Sequence, residues 1–224
     1  MKKLKIIVVL VLALICFTGC NKEDAINTNS KVVTAKKQML NNLENYSYDV
    51  KIITKTGIMD VTSNMNCKVD QTSKITYCIT STMGIETKEY FDYGNQVDYR
   101  QVTTSGSSKG KWVKTKIKGD TTNSWLNLSD YIFDLNEETK TDGTYFTGTI
   151  DSKKLAAAMA QSDSSIDLGK IVSDDIKIKV FVNSENYIET MDYSIEIAGI
   201  TEVVEINFKD YNTSGTIEIP SEAK

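Results

Sequence analysis

The chain has 224 residues, 26 Lys or Arg against 30 Asp or Glu, no histidine and a formal net charge of −4. The missing histidine excludes Ser-His-Asp and Cys-His catalysis and every histidine-containing zinc or iron site. The acidic balance, with Arg100 the single arginine, excludes a phosphate-backbone reader, so no nucleic-acid partner is expected.

Lys2, Lys3 and Lys5 precede an unbroken apolar run from Ile6 to Phe17. A membrane-spanning helix needs roughly 20 apolar residues, so this shorter run fits the core of an export signal. Phe17-Thr18-Gly19-Cys20 then resembles the bacterial lipobox, in which a small residue precedes a cysteine that is lipidated and becomes the mature N-terminus. The resemblance implies a lipoprotein signal peptide over 1–19 and acyl chains on Cys20. It also implies a cell-membrane location on the extracytoplasmic face. Acyl chains contribute ~0.8 kcal/mol per buried CH₂ and hold a protein to a bilayer without a spanning helix. Residues 20–29 are polar and aperiodic and read as a tether.

From Ser30 the spacing predicts a helix with Val32, Val33, Lys36, Met39, Leu40 and Leu43 on one face. After Tyr46 the texture becomes alternating and rich in Thr, Val, Ile and Tyr. Strands are expected where Tyr48, Val50 and Ile52 alternate, from Met59 to Val69, and from Ile75 to Met83. Others are expected near 85–93, 96–104, 111–118, 144–150, 175–183, 187–198, 202–210 and 215–219. The short polar or glycine-containing breaks between them mean hairpins, hence an antiparallel meander. Two helices are expected within this series. One is over 125–136, where Trp125, Leu128, Tyr131, Ile132 and Leu135 share a helical face. The other is the alanine-rich stretch 152–161.

The lipobox, the helix leading into strands, Gly110-Lys-Trp-Val113 and the closing Asn207-Phe-Lys-Asp-Tyr-Asn212 together are similar to the LolA and LppX/LprG-like lipoproteins. That resemblance implies an α+β fold over 30–224 as one domain. Its strongly curved antiparallel sheet would be an incomplete barrel with helices covering the concave face. It also implies a space for acyl chains between sheet and helices, and it brings no catalytic residues.

The residues expected to face inward are Met59, Val61, Met65, Ile75, Tyr77, Ile79, Met83, Phe91, Trp125, Leu128, Ile132, Leu135, Leu155 and Met159. They either line a lipid cavity or fill a solid core, and alternation does not separate the two. Flexible methionines suit a surface that accepts varied apolar shapes. Cys67 and Cys78 straddle a turn signal symmetrically, and an exported chain meets oxidising conditions. A two-residue turn at Thr72-Ser73 sets them opposite one another. The apolar pattern objects, because it groups Cys67 with Met65 and Val69 but Cys78 with Thr76 and Thr80. A bulge would reconcile them, and free thiols remain the other reading. Lys109, Lys111, Lys114, Lys116 and Lys118 surround Trp112, as a membrane-facing basic strand or as an ordinary solvated one. No phosphate-binding glycine motif, calcium loop or nucleophile elbow occurs, so no enzyme, cofactor or metal is expected. Two functions stay open: a carrier or sensor of a lipid or other apolar ligand, and a protein-interaction module of the cell envelope with a filled core.

Overall fold

The computed structural model describes residues 30–104, 110–117, 124–152, 175–197 and 199–224. Helix α1 (Lys31–Asn42) opens this part of the chain. Ser30 caps it, its Oγ accepting from the Val33 N–H at 3.1 Å and so satisfying one of the amide donors that a helix start leaves unpaired. Val32, Val33, Met39 and Leu43 are buried as the spacing predicts, and Lys36 at the edge of the stripe meets Asp130 at 2.5 Å.

The strands are β1 (Asn45–Lys55), β2 (Asp60–Asp70), β3 (Ile75–Thr82), β4 (Ile85–Asp92), β5 (Val97–Thr104), β6 (Val113–Lys116), β7 (Ile132–Thr139), β8 (Gly143–Ile150), β9 (Ile176–Asn183), β10 (Ile188–Ile197) and β11 (Ile200–Lys209). They form one antiparallel sheet in the order β6-β5-β4-β3-β2-β1-β11-β10-β9-β8-β7. The sheet is therefore two meanders joined where β1 pairs with β11, and it is open, with β6 and β7 as its edges. Across the seam Lys51 meets Glu205 at 3.2 Å and Lys209 pairs with Asp49. Helix α1 packs on β9 and β10, and the Ile188 N–H donates to Met39 Sδ at 3.3 Å.

The helix expected over 125–136 is corrected. Helical turns cover only α2 (Ser124–Asn127) and a 3₁₀ turn over Leu128–Tyr131, after which Ile132–Thr139 is β7. The reason is the hairpin that follows. Lys140 N–H donates to Gly143 O at 2.8 Å and Thr139 pairs with Thr144. β7 thus gives the backbone groups of β8 partners that a helix would leave unmade. Asp134 at φ 51° and a register shift between Phe133 and Asn136 bend the strand. Gly148 makes room for the bend, since a Cβ there would lie 2.7 Å from Ile132 Cγ2. The helix expected over 152–161, with Leu155 and Met159, lies outside the described residues.

Residues 210–224 form no ladder, which corrects the strand expected at 215–219. They run instead across the outer face of β3–β5. Ile219 and Ala223 cluster there with Tyr99, and Ile75, Tyr90, Val97 and Trp112 pack around them. Ile217 N–H anchors this segment on Asp70 Oδ2 at 3.3 Å.

The outer cluster resolves the register conflict. Cys67 stands directly opposite Cys78 with no bulge, the two joined as a disulfide with Cα atoms 4.2 Å apart. Ile75, Tyr77 and Ile79 consequently point away from Val61 and Met65, which corrects their expected inward placement. Their apolar surface is used on the other face, where Tyr77 stacks on Tyr90 with ring centroids 4.4 Å apart. Trp112 lies 5.7 Å from Tyr90 in the same layer, and Lys114 sits over the Tyr99 ring. The lysine strand is thus a solvated face over an aromatic base; Lys109 and Lys118 lie outside the described residues.

Candidate functional site

The inner face of the sheet, the side that α1 meets, changes character along the strand order. On β1, β2 and β9–β11 it carries Tyr48, Val50, Met65, Ile178, Met191 and Ile206, all buried. On β3–β6 it turns polar. One row aligns Thr76, Phe91, Asp98 and Thr115, and the next aligns Cys78, Glu89, Arg100 and Val113. Arg100 pairs with Glu89 in its own row, and its Nη2 lies 3.4 Å from Asp98 Oδ2. Thr115 Oγ1 donates to Asp98 Oδ2 at 3.2 Å.

Both carboxylates are almost wholly buried, Glu89 at 2% and Asp98 at 4% exposure. Burial pushes the Glu89 carboxyl above the ordinary range against the pull of Arg100, and Asp98 repeats its charge nearby. Burial raises Asp98 too, offset by Arg100 and by the Thr115 hydrogen bond. Asp98 Oδ1, Thr76 Oγ1 and Thr80 Oγ1 are buried without a hydrogen-bond partner among the described residues. An unsatisfied buried polar atom costs about 1–3 kcal/mol; of the three residues only Asp98 lines the cleft beside this wall, and its carboxylate oxygen favours an occupant that brings a hydrogen-bond donor.

A cleft of about 260 Å³ opens against the wall, lined by Asp98, Arg100, Val102, Gly110, Lys111, Val113 and Thr115. Gly110 bounds it by a close backbone approach, its N–H donating to Val102 O at 3.1 Å. A Cβ at position 110 would lie 2.2 Å from that oxygen, so only glycine fits. The lining runs from exposed valines at the outside to buried charge within. A larger groove of about 830 Å³ lies on the outer face of β8–β11, among Thr147, Lys177, Lys179, Asp192, Ser194 and Glu205. Ile178, Tyr193 and Val203 add apolar surface beneath those hydroxyls and charges.

A second polar island sits inside the apolar half. Glu202 is 1% exposed, Thr54 Oγ1 donates to its Oε1 at 3.4 Å, and its Oε2 and the nearby Tyr193 hydroxyl have no partner among the described residues. Burial raises the Glu202 carboxyl, and burial together with Glu202 raises the Tyr193 phenol. A carboxyl raised on folding keeps its proton in the native state after the unfolded chain has lost it. Stability is then complete below the unfolded value of about 4.5 and falls as pH rises through the folded value. Glu202→Gln should therefore unfold at a higher denaturant midpoint than wild type at neutral pH, with the gap closing as the solution is acidified. A constant gap across that range would remove Glu202 ionisation as the cause.

Of the residues expected to face inward, Met65, Trp125, Leu128 and Ile132 are buried in the inner core, with Phe91 and Leu135 half-buried against it, and Val61 is buried outside that cluster. Met59 and Met83 are corrected: they stand at hairpin turns, 49% and 57% exposed, because Gly57 and Gly84 turn the chain beside them. Ile75, Tyr77 and Ile79 are on the outer face, and Cys20, Leu155 and Met159 lie outside the described residues. The sequence reading missed Glu89, Asp98 and Arg100. The signal was the lone arginine, two residues from Asp98 on an alternating strand. Among the described residues there is no cluster of three metal-binding side chains and no helix long and apolar enough to cross a membrane.

No family model matches the sequence, and no curated protein matches it. Solved structures similar to the chain include the lipoprotein LppX of Mycobacterium tuberculosis, at 13% identity and a TM-score of 0.34, covering 84% of this chain and 96% of that one. A domain from Vibrio parahaemolyticus assigned to outer membrane lipoprotein sorting has 7% identity and a TM-score of 0.33, covering 84% and 93%. A DUF1329 family protein from Desulfovibrio piger has 11% identity and a TM-score of 0.31, covering 86% and 95%.

Proposed function

We propose that the chain is an envelope lipoprotein, held by acyl chains on Cys20 at the extracytoplasmic face of the cell membrane, that carries or senses an amphiphilic lipid. The observation that supports this reading is the cleft on β5 and β6, apolar at Val102 and Val113 and charged at Arg100 and Asp98. Ligand sites of this kind are apolar with a few convergent polar groups, and an apolar tail with a donor-bearing head matches both ends. At about 260 Å³ the cleft takes a headgroup and the first part of a chain, not a whole lipid.

A non-catalytic interaction module of the envelope is the second reading. It is favoured by the contact of α1 with β9 and β10, where Val32 and Met39 are 0% exposed and leave no room for an acyl chain. Native mass spectrometry of the chain released from membranes separates the two. A carrier retains a lipid, and Val102→Glu and Val113→Glu, both at exposed positions of the cleft, each lower its occupancy at unchanged denaturant midpoint. If wild type retains no lipid at all, the module becomes the better account.

A further inference from the structure

The two ends of the sheet differ in chemistry. At one end the turns after β2, β4, β9 and β11 are polar and self-capped. Asp70 Oδ1 accepts from Ser73 N–H at 3.0 Å, Asp92 Oδ1 from Asn95 N–H at 2.9 Å, and Asn183 Oδ1 from Tyr187 N–H at 3.0 Å. There Asn212 Oδ1 also takes the Glu44 N–H at 2.7 Å. At the other end lie the turns after β1, β3 and β10.

Seven large hydrophobic side chains are exposed among the described residues, and six belong to this second end: Ile58, Met59, Met83, Ile85, Val102 and Val113. Ile58 at 90% exposure and Met83 at 57% are the tips of separate hairpins. Two strand spacings separate those tips by about 10 Å across the sheet, and the register, with Ser63 opposite Thr82, carries the Ile58 tip roughly 13 Å farther along the strands. Ile85, Val102 and Val113 continue the patch down the inner wall to the cleft.

We propose that this end docks on a lipid bilayer, its hairpin tips entering the headgroup layer and the mouth of the cleft turned toward the lipid. Scattered exposed apolar residues are ordinary, but six at one end of a sheet whose other end is polar are not. Separate protruding tips suit a fluid headgroup layer better than the flat, continuous patch that a protein partner needs. The sequence supplies the reach. Cys20 and the residues up to 29 extend at most about 36 Å, the length of one eleven-residue strand such as β2. A body tied that closely stays beside the surface that anchors it, within reach of its apolar end. The anchor belongs to the functional reading above, whereas the asymmetry of the ends does not depend on it.

The test uses the full chain purified from membranes and reconstituted into vesicles of phosphatidylethanolamine and phosphatidylglycerol with brominated acyl chains. Ile58→Trp and Met83→Trp add a reporter at the apolar end, and Thr72→Trp adds one at the polar end; wild type gives the background of Trp112 and Trp125. Docking predicts that bromine quenches most of the added emission at 58 and 83 and leaves that at 72. Ile58→Glu placed beside Met83→Trp should reduce the quenching at 83, with the denaturant midpoint of each variant confirming that it is folded. Unquenched reporters at 58 and 83, or equal quenching at 72, would overturn the proposal. Intact mass at Cys20 and lipid retention are read on the same preparation. A failure of the anchor or of the carrier is thereby told apart from a failure of docking.

Discussion

Replacing Trp125 by alanine should lower stability by ~3–5 kcal/mol, read as a fall in denaturant midpoint at unchanged slope. The indole is 2% exposed, and Leu126, Leu128 and Ile132 beside it are at 2% or less. Helix α2 is four residues long and continues into a single 3₁₀ turn. Helices this short have no stability of their own, so packing alone holds the element. Losing the indole removes its burial and leaves a void under the chain that leads into β7. Lipid retention measured on the same variant gives the result a second meaning. A fall in retention at unchanged midpoint would make α2 the wall of a ligand space instead of core.

The second large effect concerns the cross-strand disulfide. Replacing Cys67 and Cys78 together by alanine should cost roughly 2–4 kcal/mol, the range for releasing a loop of this size in the unfolded chain. The bridge spans 11 residues, and both sulfurs belong to residues only 2% exposed. Reductant supplies the control: it should lower the midpoint of unfolded-and-refolded wild type toward that of the double variant and leave the variant unchanged. A wild-type midpoint indifferent to reductant would mean that the bridge contributes nothing.

Much of the architecture was legible because each meander strand carries its own signal. Alternation in Tyr48-Asp-Val-Lys-Ile52 or Ile176-Lys-Ile-Lys-Val180 states both the strand and its buried face. The misplaced elements are those whose partner is distant. Ile75, Tyr77 and Ile79 alternate correctly, but their face depends on Ile219 and Ala223 arriving from the far end of the chain. Ile132 to Leu135 fits a helical spacing read alone. Asp142-Gly143, a strong hairpin signal, was the local cue that the segment pairs with β8. Within the candidate site, Val102 and Val113 are unremarkable strand residues. The convergence of Glu89, Asp98 and Arg100 is a product of register, which one strand's sequence does not specify.

The seam between β1 and β11 has a consequence for how the molecule is made. Synthesis delivers β1 early and β11 some 150 residues later, and nothing else on the sheet occupies that edge. Until then the first meander presents a long bare backbone edge flanked by Tyr46, Tyr48, Val50 and Ile52, a template for pairing with another nascent chain. Closing so distant a pair is intrinsically slow. The charges of Asp49 and Lys51 on that edge, later neutralised by Lys209 and Glu205, are then gatekeepers first and ion pairs second.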